Sequence, residues 1–84
     1  MDLTIIAPTG LLCQTTTDKV SFPGEWGAFT VLTGHAPLIA HLVAGTIVYS
    51  EQGQEKSLEI ESGFVRVLEN QLEVCVEVPG HDIS

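Results

Sequence analysis

The chain has 84 residues, with eleven carboxylates against three basic residues (Lys19, Lys56 and Arg66) and a formal net charge of −8. That length holds one domain, which excludes a two-domain dehydrogenase, a barrel enzyme and a polytopic membrane protein. Three cations cannot neutralise a row of phosphates, which excludes nucleic-acid binding and docking on anionic lipid headgroups, and 44% hydrophobic residues against 17% charged ones exclude a disordered chain.

The opening Met1-Asp2-Leu3-Thr4-Ile5-Ile6-Ala7-Pro8 has no basic region, and Asp2 stands where a signal peptide carries positive charge. It reads as a first strand, closed by the turn Pro8-Thr9-Gly10, with Leu11-Leu12-Cys13 beyond. Val20 and Phe22 flank Ser21 in a strand that Pro23-Gly24 ends. The loop Pro23-Gly24-Glu25-Trp26-Gly27 carries the only tryptophan. On so tight a loop, Trp either tucks back onto the core or stands out as a contact anchor. Gly27 and Gly34 bracket a short strand, and a turn follows over Gly34 to Ile39, where Pro37 limits any helix. The longest apolar stretch, Ala36 to Ala44, is interrupted by Pro37 and His41 and cannot span a bilayer.

After Gly45, Ile47 and Tyr49 lie opposite Thr46, Val48 and Ser50. The hairpin signal Gln52-Gly53-Gln54 leads to Leu58 and Ile60, which alternate with Glu59 and Glu61. Phe64 to Leu68 is apolar on both faces, as in a strand covered on two sides. Glu69-Asn70-Gln71 turns the chain into the clearest half-buried strand, in which Leu72, Val74, Val76 and Val78 alternate with Glu73, Cys75 and Glu77. That alternation points Cys75 outward. Residues 79–84 read as a flexible tail. A period of two almost everywhere, with turns every 8–12 residues or so, is the spacing of a β-sandwich or small barrel. Residues 1–78 are therefore expected to form one all-β domain.

No catalytic constellation emerges. His35, His41 and His81 fit no zinc spacing, and there is no Cys-x-x-Cys. Cys13 and Cys75 could pair, but one bridge is no secreted-scaffold framework, and the chain reads as soluble and from a reducing compartment. His35, in Gly34-His35-Ala36-Pro37, is expected to hold its turn by a hydrogen bond rather than to bind a ligand. His41 is expected to be partly buried or at an interface. The glycines form no phosphate-cradling loop, and the carboxylates fall on outward strand positions or in turns. No metal, cofactor or catalytic residue is expected.

Pro23 to Pro37 reads, without a gap, as Pro-Gly-x-x-Gly-x-Phe-x-Val-Leu-x-Gly-His-x-Pro. This pattern resembles the epsilon subunit of F-type ATP synthase. Leu42 to Ile47, Glu61 to Val67, Asn70 to Val74 and the opening Leu3 to Gly10 resemble further segments of that family in its order. The resemblance implies a small antiparallel β-sandwich of two packed sheets and no bond chemistry. It implies a central-stalk rotor part between the gamma subunit and the membrane ring, for proton-driven ATP synthesis. Its expected location is peripheral, at the cytoplasmic face of the bacterial inner membrane, without direct lipid insertion. By position, Glu25, Trp26, Gly27 and Ala28 correspond to the loop facing the polar loops of the ring, where Glu25 would meet a basic residue. His35, Ala36, Pro37, Leu38, Ile39 and Ala40 correspond to a gamma-facing surface. The resemblance thus favours an exposed Trp26, itself a departure from relatives that carry a charged or small residue there. Most bacterial relatives continue into a C-terminal helical hairpin that in some restrains ATP hydrolysis. With Ser84 as the last residue, the expectation is a domain without that hairpin and without hairpin-type self-inhibition.

Two rival readings remain. Thr17-Asp18-Lys19-Val20 matches the turn in which lipoyl-type carrier domains are modified on lysine, here Lys19. That turn belongs between two similar halves, whereas Lys19 lies near the N-terminus. The other rival is a free-standing adaptor sandwich with an unrelated partner.

Overall fold

A computed structural model describes residues 1–79; from residue 80 on, the expected tail lies outside the described residues. The strands are β1 (Asp2–Ala7), β2 (Gly10–Thr16), β3 (Lys19–Phe22), β4 (Phe29–Leu32), β5 (Leu38–Leu42), β6 (Gly45–Glu51), β7 (Gln54–Ile60), β8 (Ser62–Leu68) and β9 (Gln71–Glu77). They form a five-stranded sheet in the order β2-β1-β9-β8-β5 and a four-stranded sheet in the order β4-β3-β6-β7. This is the expected two-sheet sandwich. Its pairings are antiparallel except one: β1 runs parallel to β9, with Leu3 beside Leu72 and Ile5 beside Val74. A hairpin would force antiparallel pairing, but these two strands are joined only through the rest of the domain.

Local chemistry explains the hairpins. Gln52 and Gly53 have φ of 53° and 79°, and Glu69 and Asn70 have φ of 51° and 62°. Positive φ at both central residues gives the two-residue turn whose twist matches that of the strands. The turn over Gly34 to Ile39 is shorter than the sequence suggests: it closes at Thr33-Gly34, and β5 begins at Leu38.

Alternation then builds the core. Leu3, Ile5, Val65, Val67, Leu72, Val74 and Val76 from the larger sheet are buried against Val20, Phe22, Val31, Ile47 and Ile60 from the smaller one. The ring of Phe22 stacks on that of Phe29, with centroids 5.4 Å apart.

The chain changes sheet at short corners, each closed by hydrogen bonds. Between β2 and β3, the buried Thr17 hydroxyl donates to the Lys19 carbonyl at 3.1 Å and lies 2.9 Å from the Ser50 hydroxyl. Ser50 donates to the Asp18 carboxylate at 2.7 Å, and that bond holds the carboxyl below its ordinary pKa. Between β7 and β8 a single residue, Glu61, makes the crossing, and its N–H donates to the Glu77 carbonyl at 2.7 Å.

One expectation is corrected. Strand β8 is not covered on two sides, because Phe64 and Leu68 are 46% and 44% exposed while Val65 and Val67 are buried. A two-layer sandwich offers each sheet only one covered face. The two cysteines are also settled. Cys13 pairs with the core residue Ile5 and packs on the inner face. There its thiol, with partial burial, pushes the Tyr49 hydroxyl of the opposite sheet up to about 12. Cys75 pairs with Ile6 and Phe64 on the outer face, and both thiols are free.

Gly63 shows how closely β8 and β9 approach. A Cβ there would clash with the backbone oxygen of Cys75 and lie 3.1 Å from the Cα of Val76. The obstacle is backbone, so it cannot rotate away. Gly63→Ala is expected to cost about 1–3 kcal/mol, seen as a lower urea midpoint. A midpoint equal to wild type would show that the strands can part without penalty.

Candidate functional site

The loop between β3 and β4 is the most specifically shaped segment of the molecule. Gly24 makes an isolated bridge to Leu42. A Cβ on it would lie 2.6 Å from the Gly27 carbonyl oxygen and 2.8 Å from the Phe29 ring, so only glycine fits. The Gly27 N–H donates back to the Gly24 carbonyl at 3.1 Å, which closes the turn, and Gly27 has φ of 123°, open to glycine. Two more bonds stitch the loop to β5 and the residue after it: Glu25 N–H to the His41 carbonyl at 3.0 Å, and Val43 N–H to the Pro23 carbonyl at 2.9 Å.

Held this way, the loop presents its tip to solvent. Glu25, Trp26, Gly27 and Ala28 are all exposed, and Trp26 is 96% exposed. The choice between a tucked and a projecting tryptophan is therefore decided in favour of projection.

The second segment divides by strand alternation. His35, Ala36, Pro37 and Ile39 are exposed, Ile39 by 72%, while Leu38 and Ala40 are half-buried and pack on the core. The His35 ring donates from Nδ1 to the Ala36 carbonyl at 2.7 Å, the turn-holding bond expected of it. His41 is exposed, at the edge of the larger sheet.

The structure joins what the sequence kept apart. Gly24 to Phe29 and Leu38 to His41 line one open groove of about 420 Å³, so the loop expected to face a ring and part of the strand expected to face gamma share its walls. His35, Ala36 and Pro37 lie outside it. A further surface went unseen in the sequence. Across the outer face of the larger sheet, Ile6, Cys75, Phe64 and His41 stand in one register row. Ile6 and Phe64 are 41% and 46% exposed. Phe64 and Leu68, apolar on the outward side of β8, were the available signal, but only the sheet order shows that nothing covers them.

Lys19 begins β3 at a corner between the sheets, and the two sheets have five and four strands in unlike orders, not the similar halves of a carrier domain. Among the described residues no group of three or more His, Cys, Asp or Glu gathers to hold a metal ion. No helix among them is long and apolar enough to cross a membrane.

Comparison with known proteins adds the following. Residues 1–79 match the family model described as the ATP synthase, Delta/Epsilon chain, beta-sandwich domain. The chain is 41% identical over 78 residues to the ATP synthase epsilon chain of a Nitratiruptor species, a match covering 92% of this chain and 60% of that one. It is 32% identical over 80 residues to the ATP synthase epsilon chain of Endomicrobium trichonymphae, covering 95% of this chain and 58% of that one. The chain thus spans somewhat less than two thirds of the length of these relatives. Its fold is shared with a chain in the cryo-EM structure of the Euglena gracilis mitochondrial ATP synthase, OSCP/F1/c-ring (TM-score 0.81, 21% identity, covering 88% of this chain and 48% of that one). A chain of the Tetrahymena thermophila mitochondrial ATP synthase central stalk/c-ring shares it too (TM-score 0.78, 13% identity, covering 92% and 63%).

Proposed function

Because the chain belongs to the delta/epsilon family of ATP synthase, as its β-sandwich domain, and is thus a non-catalytic subunit, we propose that it serves as a rotor part of the central stalk, coupling gamma to the membrane ring. The observation that carries this reading is the family match across residues 1–79, combined with the shaped loop at Pro23 to Ala28. Torque passes through a subunit only if it neither slips nor deforms. A close-packed interior transmits strain, and the short hydrogen-bonded corners tie the sheets into one body.

In this reading the exposed Glu25-Trp26-Gly27-Ala28 faces the polar loops of the ring, with Glu25 opposite a basic residue and Trp26 adding apolar contact. His35 to Ala40 faces gamma, with His35, Ala36, Pro37 and Ile39 making the contacts, while Leu38 and Ala40 anchor the strand to the core. The uncovered Phe64 and Ile6 lie on the same outer face as Ile39 and widen that surface. The chain would sit peripherally at the cytoplasmic face of the membrane, held by protein contacts.

The test is native mass spectrometry on the tagged chain, purified in mild detergent from its own cells. Co-purification with a gamma subunit and a small ring-forming membrane protein is the expected result. The chain alone at its unmodified mass would sink the rotor reading. A lipoyl-sized mass increase on Lys19 would replace it with a carrier function. For a chain that acts as this sandwich alone, unrestrained ATP hydrolysis would be read in the same preparation.

A further inference from the structure

The β8–β9 turn and the β4–β5 connection are remote in sequence, yet one bond joins them. The side-chain oxygen of Asn70 accepts the Gly34 N–H at 2.8 Å. The backbone around Gly34 is held on either side. Thr33 N–H donates to the Asp18 carbonyl at 3.3 Å and His35 N–H to the Leu32 carbonyl at 3.0 Å. Gly34 itself has φ of 86°, a conformation glycine adopts without steric cost and can equally leave. Pro37, three residues on, has no N–H to contribute.

Asn70 meets three requirements at once. Its φ of 62° places it in the left-handed region that asparagine tolerates. Its carbonyl accepts the Asp2 N–H at 2.9 Å, tying down the start of β1. Its side chain supplies the acceptor for Gly34. Glycine would satisfy the backbone conformation but not the last requirement. Aspartate would satisfy both.

We infer that Asn70 is a positioning residue, whose side-chain oxygen holds Gly34 and so sets the path of His35-Ala36-Pro37 into β5. This inference rests on the reading of that segment as gamma-facing. Asn70 acts through Gly34 on the direction in which the exposed residues leave the β4 end of the smaller sheet and enter the larger one. With the bond lost, the connection samples other courses, and a partner must reorder it on binding, which weakens the complex without unfolding the domain.

The experiment compares Asn70→Gly and Asn70→Asp in the full chain with wild type. It measures Gly34 amide hydrogen exchange by NMR and affinity for the gamma subunit of the same complex. Glycine preserves the turn, so both variants are expected to keep the wild-type far-UV spectrum. Asn70→Gly is expected to lose protection at Gly34 and to bind gamma roughly three- to tenfold more weakly, the equivalent of one net hydrogen bond. Asn70→Asp is expected to restore both. Equal Gly34 protection in wild type and Asn70→Gly would overturn the inference, as would lost protection with unchanged affinity for gamma. A wild-type chain that does not bind gamma at all would overturn the gamma-facing reading instead, and Gly34 exchange would still decide whether Asn70 holds the connection.

Discussion

Phe22→Ala is expected to leave most of the domain unfolded at 37 °C. Phe22 is 1% exposed and stacks on Phe29 at 5.4 Å, so its removal deletes both the burial and a ring partner. Such truncations cost about 3–5 kcal/mol, the lost transfer energy plus the cavity left behind. A core this small rarely supplies more than ~3–5 kcal/mol in total, so the substitution consumes most of the margin. Urea titration followed by far-UV circular dichroism is the measurement. Tryptophan emission is a poor reporter, because Trp26 is nearly as exposed in the folded chain as in the unfolded one. Phe22→Leu, which fills most of the same space, is expected to lose about 1 kcal/mol. A Phe22→Ala chain with a wild-type midpoint would mean that the sheets close over the gap, and that the Phe22–Phe29 stack is no keystone of the core.

Trp26→Ala has the opposite profile. At 96% exposure the side chain contributes nothing to the core, so the urea midpoint should stay within about 0.5 kcal/mol of wild type. If the loop faces the ring, truncation removes the largest apolar contact from that interface. A buried tryptophan anchor is worth about 2 kcal/mol or more, roughly a thirtyfold loss of affinity. The measurement is titration of the isolated ring, in detergent, into wild-type and variant chains, each in complex with gamma. Trp26→Phe should recover part of the loss. Unchanged affinity in Trp26→Ala would remove this loop from the interface while leaving the family assignment untouched. The two substitutions together separate what holds the domain from what the domain holds.

The groove bears on how the second result is read. The loop Gly24 to Phe29 and the strand residues Leu38 to His41 share its walls, and backbone bonds from Glu25 and Val43 tie the two together. A change that loosens the loop can therefore disturb strand β5 as well. The pairing of Trp26→Ala with Trp26→Phe addresses this, since neither alters the glycines or the backbone bonds.

The amino-acid sequence by itself determined most of the strands, the two hairpin turns and the all-β class of the domain. Alternation from Leu72 to Val78 sets which side chains face inward, Gly53 and Asn70 accept the positive φ their turns require, and Gly24 and Gly27 shape the loop between β3 and β4. These are local matters, decided by side-chain period and steric freedom within a few residues. The tertiary structure alone decided the rest. It ran β1 parallel to β9, set Cys13 on the inner face near Tyr49 of the opposite sheet, left Phe64 uncovered and brought Trp26 and Ile39 to the same groove. It also set the Asn70 side chain against Gly34, 36 residues away. None of these follows from a local pattern. Each depends on which strands become neighbours, and that order is selected by burying all the apolar faces together rather than by any one strand's own sequence.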